Sequence, residues 1–219
     1  MKMKTDNQLK QDVNAELKWE PSIHAAEIGV EVKEGIVTLS GHVSSYTEKL
    51  NAERAAQRVL GVQAIAVELD VKLPGESKRD DADIARTAKN VLDWVSIIPL
   101  ESVKVLVEDG WITLSGELDW QYQRVAAKSA VRYLMGVKGV SNQILIRPQV
   151  SPRVVKSEIE AALIRSALAD GKNIQVKVNG ADVTLTGKVH NQSERDIARL
   201  SAWNSPGVQS VVDNMIVTI

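Results

Sequence analysis

The 219-residue chain has no cysteine, no phenylalanine and only three histidines. Without cysteine, disulfides and thiolate catalysis are excluded. His24, His42 and His190 stand at unrelated positions with no His pair at helical spacing, so a zinc site is not expected and they read as scattered surface imidazoles. No apolar run is long enough to span a bilayer. The opening MKMKTDNQLKQDV has basic residues but no apolar run behind them, which is not the pattern of a secretory signal. Cytoplasmic placement is therefore expected, with the periplasm as the alternative for a chain trimmed of a leader. Charge of one sign is also lacking: 27 Lys and Arg face 28 Asp and Glu, so no global field favours nucleic acid or an anionic membrane. No P-loop, no G-x-G-x-x-G and no G-x-S-x-G elbow appears, and the recurring Ser40, Ser115 and Thr186 are explained by strand alternation. Neither an enzyme nor a cofactor is expected.

What the chain does have is repetition. GIVTLSGHV at 35–43 returns as GWITLSGEL at 110–118 and ADVTLTGKV at 181–189, with offsets of 75 (Gly41 to Gly116) and 71 (Gly116 to Gly187). The same offsets carry GVQAI at Gly61 onto GVKGV at Gly136 and GVQSV at Gly207. Two anchors at one spacing mark three units of about 70 residues, each the size of a small domain.

Within a unit the hydrophobic period switches. Leu9, Val13 and Leu17 recur at helical spacing, as do Ile84, Ala88, Val91 and Leu92, then Val155, Ile159, Ala162 and Leu163. Asp80 or Asp81, and Ser151 followed by Pro152, are suited to start these helices. Period-two alternation follows at Ile28, Val30, Val32, at Val103, Val105, Val107 and at Ile174, Val176, Val178. A turn and the repeated strand then complete a hairpin, and the glycine after each repeated strand is expected to turn the chain toward a second helix. Ser45 with Glu48, and Asn191 with Glu194, fit a capping box there. The expected fold class is α+β: three tandem α-β-β-α-β units, each a three-stranded sheet with two helices on one face, over 1–73, 80–147 and 152–219.

The G-[IVW]-[IV]-T-L-S-G strand, the Ala-rich second helix, the Gly-Val at its end and the closing strand together resemble the BON domain of bacterial osmotically inducible and nodulation proteins. The likeness covers nearly the whole chain, three times over. The third unit departs at Asn179-Gly180-Ala181-Asp182 and at Pro206. The resemblance implies a bacterial, transport-associated, non-catalytic module that associates weakly with phospholipid or envelope components, often under osmotic stress. The alternative is a protein–protein interaction or chaperone-like structural module with no lipid binding.

Two features stand out as candidate binding surface. Trp111, Trp120 and Tyr122 all fall in the middle unit, where the counterparts in the other units are mostly polar. Topology places them near one another, where they either pack between units, the commoner fate of such rings, or form an exposed contact surface. Trp19 and Trp94 share one position at the end of the first helix, and that recurrence argues for packing. The second feature is basic: Arg124, Lys128 and Arg132 are four apart along the middle unit's second helix. Arg195, Arg199 and Trp203 take the same positions in the third unit, and Lys49, Glu53 and Gln57 in the first. Such a row is most often a solvated helix face; read as a binding surface, it points to an anionic phospholipid surface or an envelope protein, with no nucleic acid and no transmembrane segment. Oligomeric state is open.

Overall fold

The computed structural model describes residues 4–147, 152–165 and 174–217. The first repeat runs α1 (Asp6–Trp19), β1 (Ile28–Lys33), β2 (Ile36–Val43), α2 (Tyr46–Arg58) and β3 (Ala64–Val71). The middle repeat runs α3 (Asp81–Trp94), β4 (Val103–Glu108), β5 (Trp111–Leu118), α4 (Gln121–Val131) and a last strand in two pieces, β6 (Gly139–Asn142) and β7 (Leu145–Ile146). The third runs α5 (Pro152–Arg165), β8 (Ile174–Asn179), β9 (Asp182–Val189), α6 (Gln192–Trp203) and β10 (Ser210–Val217). The α-β-β-α-β order is the expected one. The break expected at 147–152 and the helix start at Ser151 lie for the most part outside the described residues. Packing divides the chain differently from the repeats. One compact unit comprises Met1–Ala88, Leu106–Ile112 and Val131–Ser141; the other comprises Lys89–Val105, Thr113–Ala130 and Asn142–Ile219.

Each repeat has its own sheet, ordered β1-β2-β3, β4-β5-β6 (with β7 also on β5) and β8-β9-β10. The strand that the sequence spells three times is thus the central one. β1 pairs with β2 antiparallel as a hairpin, whereas β3 returns parallel to β2 after the α2 crossover. A central strand with helices on one side must be apolar on that side only. Val37 and Leu39, Ile112 and Leu114, and Val183 and Leu185 are all fully buried. Val13 and Leu17 share one core cluster with the first pair, and Val155, Ile159 and Leu163 share another with the third. Leu9, Ile84, Ala88 and Leu92 are buried on their helices as well.

The recurring glycine has a different task from the expected turn. Gly41 lies inside β2, not after it, at φ 114, and Gly116 lies inside β5 at φ 132. A Cβ on Gly41 would stand 2.2 Å from the Glu27 carbonyl oxygen, and one on Gly116 2.1 Å from that of Ser102. Close backbone approach, not a change of direction, is what excludes a side chain here.

The hairpin turns show why the third repeat departs. Lys33 pairs with Ile36, leaving Glu34 (φ 51) and Gly35 (φ 77) both left-handed, the pattern of a type I′ turn. Glu34 is a poor residue for that conformation, and the Asp6 carboxylate compensates by accepting the Glu34 and Gly35 amides at 2.8 and 3.1 Å. Asp81 does the same for Asp109 and Gly110 at 2.8 and 2.9 Å. The offset places Pro152 at this position in the third repeat, so no carboxylate is there. Its turn is Gly180-Ala181, in which only Gly180 has a positive φ, as a type II′ turn requires.

Candidate functional site

One polar position recurs in the first turn of every second helix: Glu48, Gln123 and Glu194, related by the repeat offsets. In the first repeat only half of the expected capping box forms. Ser45 Oγ accepts from the Glu48 N–H at 3.1 Å, but the Glu48 carboxylate turns inward. It accepts from the His24 and Ser44 N–H groups at 2.7 and 2.8 Å and from the Ser44 hydroxyl at 2.7 Å, and lies 3.0 Å from His24 Nδ1. Burial, which leaves Glu48 3% exposed, pushes its carboxyl up. The hydrogen bonds from His24 and Ser44 outweigh this and hold it below the usual carboxylate range. Glu194 is likewise lowered by the His190 N–H at 2.9 Å, against some desolvation. The histidines are therefore not scattered: the exposed His24 and His190 each face the recurring carboxylate, and the half-buried His42 has its Nε2 3.1 Å from Glu27.

Gln123 performs the same task without charge, and it organises one end of the middle repeat. Its Oε1 accepts from the Asp119 and Trp120 N–H groups at 3.2 and 3.1 Å, while its Nε2 donates to the Ile97 carbonyl at 2.8 Å. The α3–β4 connection is thereby tied to the start of α4. α3 ends at Trp94, and the chain then makes turns closed by Val95 N–H to Leu92 O (3.1 Å) and Ile98 N–H to Val95 O (2.9 Å). Ile98 is anchored in the core at 6% exposure. Its neighbours face outward: Trp94 is 88% exposed, Leu100 73% and Ile97 44%. Trp120 and Tyr122 stand across the Gln123 tie with ring centroids 6.1 Å apart, Trp120 half-buried and Tyr122 exposed.

The expected surface is thus redistributed. Trp111 does not join Trp120 and Tyr122, because it opens β5 and they follow its other end. An eight-residue strand holds those ends roughly 25 Å apart. The Trp111 ring instead covers Gly139, whose absent Cβ would fall 2.3 Å from it. Of the basic row, Arg124 and Lys128 sit on α4 with no carboxylate within 4.0 Å among the described residues. Arg132 lies beyond the helix end, its guanidinium 4.5 Å over the Tyr133 ring and donating to the Tyr133 hydroxyl. In the third repeat Arg195 Nε donates to Asp213 at 2.7 Å and Arg199 is 3.7 Å from the same carboxylate. Trp203 packs against the third core. The recurrence of Trp19 and Trp94 does not signify packing, since they are 82% and 88% exposed. Sequence reasoning missed Trp94, Ile97 and Leu100 as surface and Gln123 as their tie. The legible signal was Gln123 in register with Glu48 and Glu194.

Among the described residues no His, Cys, Asp and Glu group is placed to hold a metal ion, and no helix is long and apolar enough to cross a membrane. Fold and surface together define a class: a tandem array of small α+β modules, the middle one with aromatic and basic side chains near the start of its second helix. The BON domain family model matches residues 5–72, 80–148 and 153–219, and the chain belongs to that family. It is similar to osmotically-inducible protein Y of Escherichia coli K12, at 34% identity over 145 residues, covering 64% of this chain and 71% of that protein. Among solved structures it is similar to CdsD, a structural protein of the type III secretion system of Chlamydia trachomatis. The identity is 16% and the TM-score 0.26, over 96% of this chain and 92% of that one. The periplasmic domain of PrgH from S. typhimurium gives 13% identity and a TM-score of 0.24, over 93% and 99%.

Proposed function

We propose that this is a non-catalytic, stress-linked BON-type protein whose middle repeat associates weakly with anionic phospholipid. The observation that carries the reading is the pair Arg124 and Lys128, free of carboxylate partners among the described residues, on the helix that also carries the exposed Tyr122. The similarity to an osmotically-inducible protein supports the link to osmotic stress. Magnitude limits the electrostatic part. Two cations near an anionic bilayer supply about 2 kcal/mol, which alone is weaker than millimolar binding. Apolar contact must add to it.

Flotation of the intact chain with zwitterionic vesicles, and with vesicles containing roughly one-third anionic lipid, tests the reading. Binding is expected only to the anionic vesicles and should fall with added salt and with Arg124→Glu plus Lys128→Glu. Flotation indifferent to all three would overturn it. The protein–protein alternative has its own observation: Trp111 on β5 and Leu106 on β4 are 51% and 55% exposed, apolar side chains suited to a protein partner.

A further inference from the structure

We infer that the helix face of the third repeat is a docking surface for a second copy of this chain, α5 crossing its counterpart antiparallel about Ala161. The lipid reading concerns the middle repeat and is independent of this one. Val154 and Ile164 on α5, and Ile197 and Leu200 on α6, are exposed at 42%, 65%, 41% and 59%. Helical spacing turns all four away from the core-facing Val155, Ile159, Leu163, Ala198 and Ala202. The repeat offsets place Gln8, Lys18, Asn51 and Arg54 at these positions in the first repeat, and Asp83, Asp93, Ala126 and Ser129 in the middle one. The same face is thus polar or small-sided twice and apolar once. Four large apolar side chains on one face mark a surface that another molecule covers.

Charge selects the occupant. On α5 and α6, Lys156 pairs with Glu160 at 3.7 Å, Arg195 and Arg199 meet Asp213, Asp196 meets Arg199, and Glu194 meets His190. Arg153, Glu158 and Arg165 have no ion-pair partner within 4.0 Å among the described residues. The last two are exposed and line the groove between α5 and the end of α6, together with the small Ala161, Ala162, Ser201 and Ser205. Glu158 and Arg165 stand two helical turns, roughly 10 Å, apart, with Ala161 and Ala162 midway. A two-fold axis through that midpoint lays Glu158 of each copy against Arg165 of the other, and the small side chains there let the helices approach closely. One free carboxylate beside one free cation suits a copy of itself better than a surface of single charge. Two helices side by side, each about 10 Å across and roughly 20 Å long, present about 400 Å² per copy, half of what a standard interface buries per partner. The dimer is therefore weak and concentration-dependent.

Sedimentation of the intact chain over a concentration series should show reversible monomer–dimer exchange. Glu158→Arg and Arg165→Glu each set like charges face to face. Each should raise the dissociation constant about tenfold or more, with an unchanged melt because both positions are exposed. Mixed in equal amounts, the two variants should associate again, since one copy then presents two arginines and the other two glutamates. The double exchange should dimerise alone for the same reason. A chain that stays monomeric at the highest concentration would overturn the proposal. So would a dimer indifferent to both substitutions, or a mixture that does not recover although both variants melt like the native chain. Where a single variant melts early, the double exchange decides, and its failure to dimerise would count against the antiparallel face.

Discussion

Replacing Glu48 by Gln tests the account of the recurring buried position most sharply, because the middle repeat already carries the amide. Both Glu48 oxygens accept from backbone N–H groups, Oε1 from His24 at 2.7 Å and Oε2 from Ser44 at 2.8 Å. An amide has one acceptor oxygen, so its NH₂ must face one of those donors. Gln123 avoids the conflict because both its N–H partners converge on Oε1 while its NH₂ finds the Ile97 carbonyl. A buried donor left without an acceptor costs about 1–3 kcal/mol, and Glu48→Gln should destabilise the first repeat by that amount. Amide hydrogen exchange is the assay, read at the His24 and Ser44 N–H groups themselves, with denaturant unfolding alongside.

The pH dependence carries a second part of the same argument. The folded-state pKa of Glu48 is lowered, so its contribution is complete above the unfolded value near 4.3 and is lost as pH falls through the folded one. Glu194 has the same sign in the third repeat. Acid should therefore open the α2 junction of the first repeat before the matching α4 junction, where Gln123 does not titrate, and Glu48→Gln should flatten that dependence. Exchange at His24 and Ser44 that is unchanged by the substitution, or an acid dependence that survives it, would refute the reasoning.

Two further outcomes are expected within the sheets. Gly41→Ala should cost about 3 kcal/mol or more in denaturant melts, because φ 114 is strained for alanine and the new Cβ meets the Glu27 carbonyl oxygen at 2.2 Å; a loss below about 1 kcal/mol would show that the strands part easily. Leu114→Ala, at a fully buried site, should cost about 2–5 kcal/mol, and Thr113→Ala on the other face well under half of that; equal losses would contradict the assignment of faces.

The repeat offsets and the hydrophobic periods were sufficient for the architecture. Helical spacing in Leu9, Val13 and Leu17 and alternation in Val37 and Leu39 are local properties, and burial only confirms them. The chain also displayed its exceptions openly, since Pro152 and Asn179-Gly180-Ala181-Asp182 change together in the third repeat. What no local pattern contained was the company each side chain keeps. Arg195 and Arg199 repeat the positions of Arg124 and Lys128, yet Asp213 comes from β10 to meet the first pair and, among the described residues, no carboxylate meets the second. Glu48 reads as a surface cap until the α1–β1 connection folds over it and brings His24 to its carboxylate. Trp19 and Trp94 recur as core residues do, but α1 and α3 end just there, and beyond a helix end no packed face remains to cover a ring. Periodicity reports the face a residue takes within its own element; whether a neighbour covers that face, or a counter-charge reaches it, was decided by segments distant in sequence, and so only by the tertiary structure.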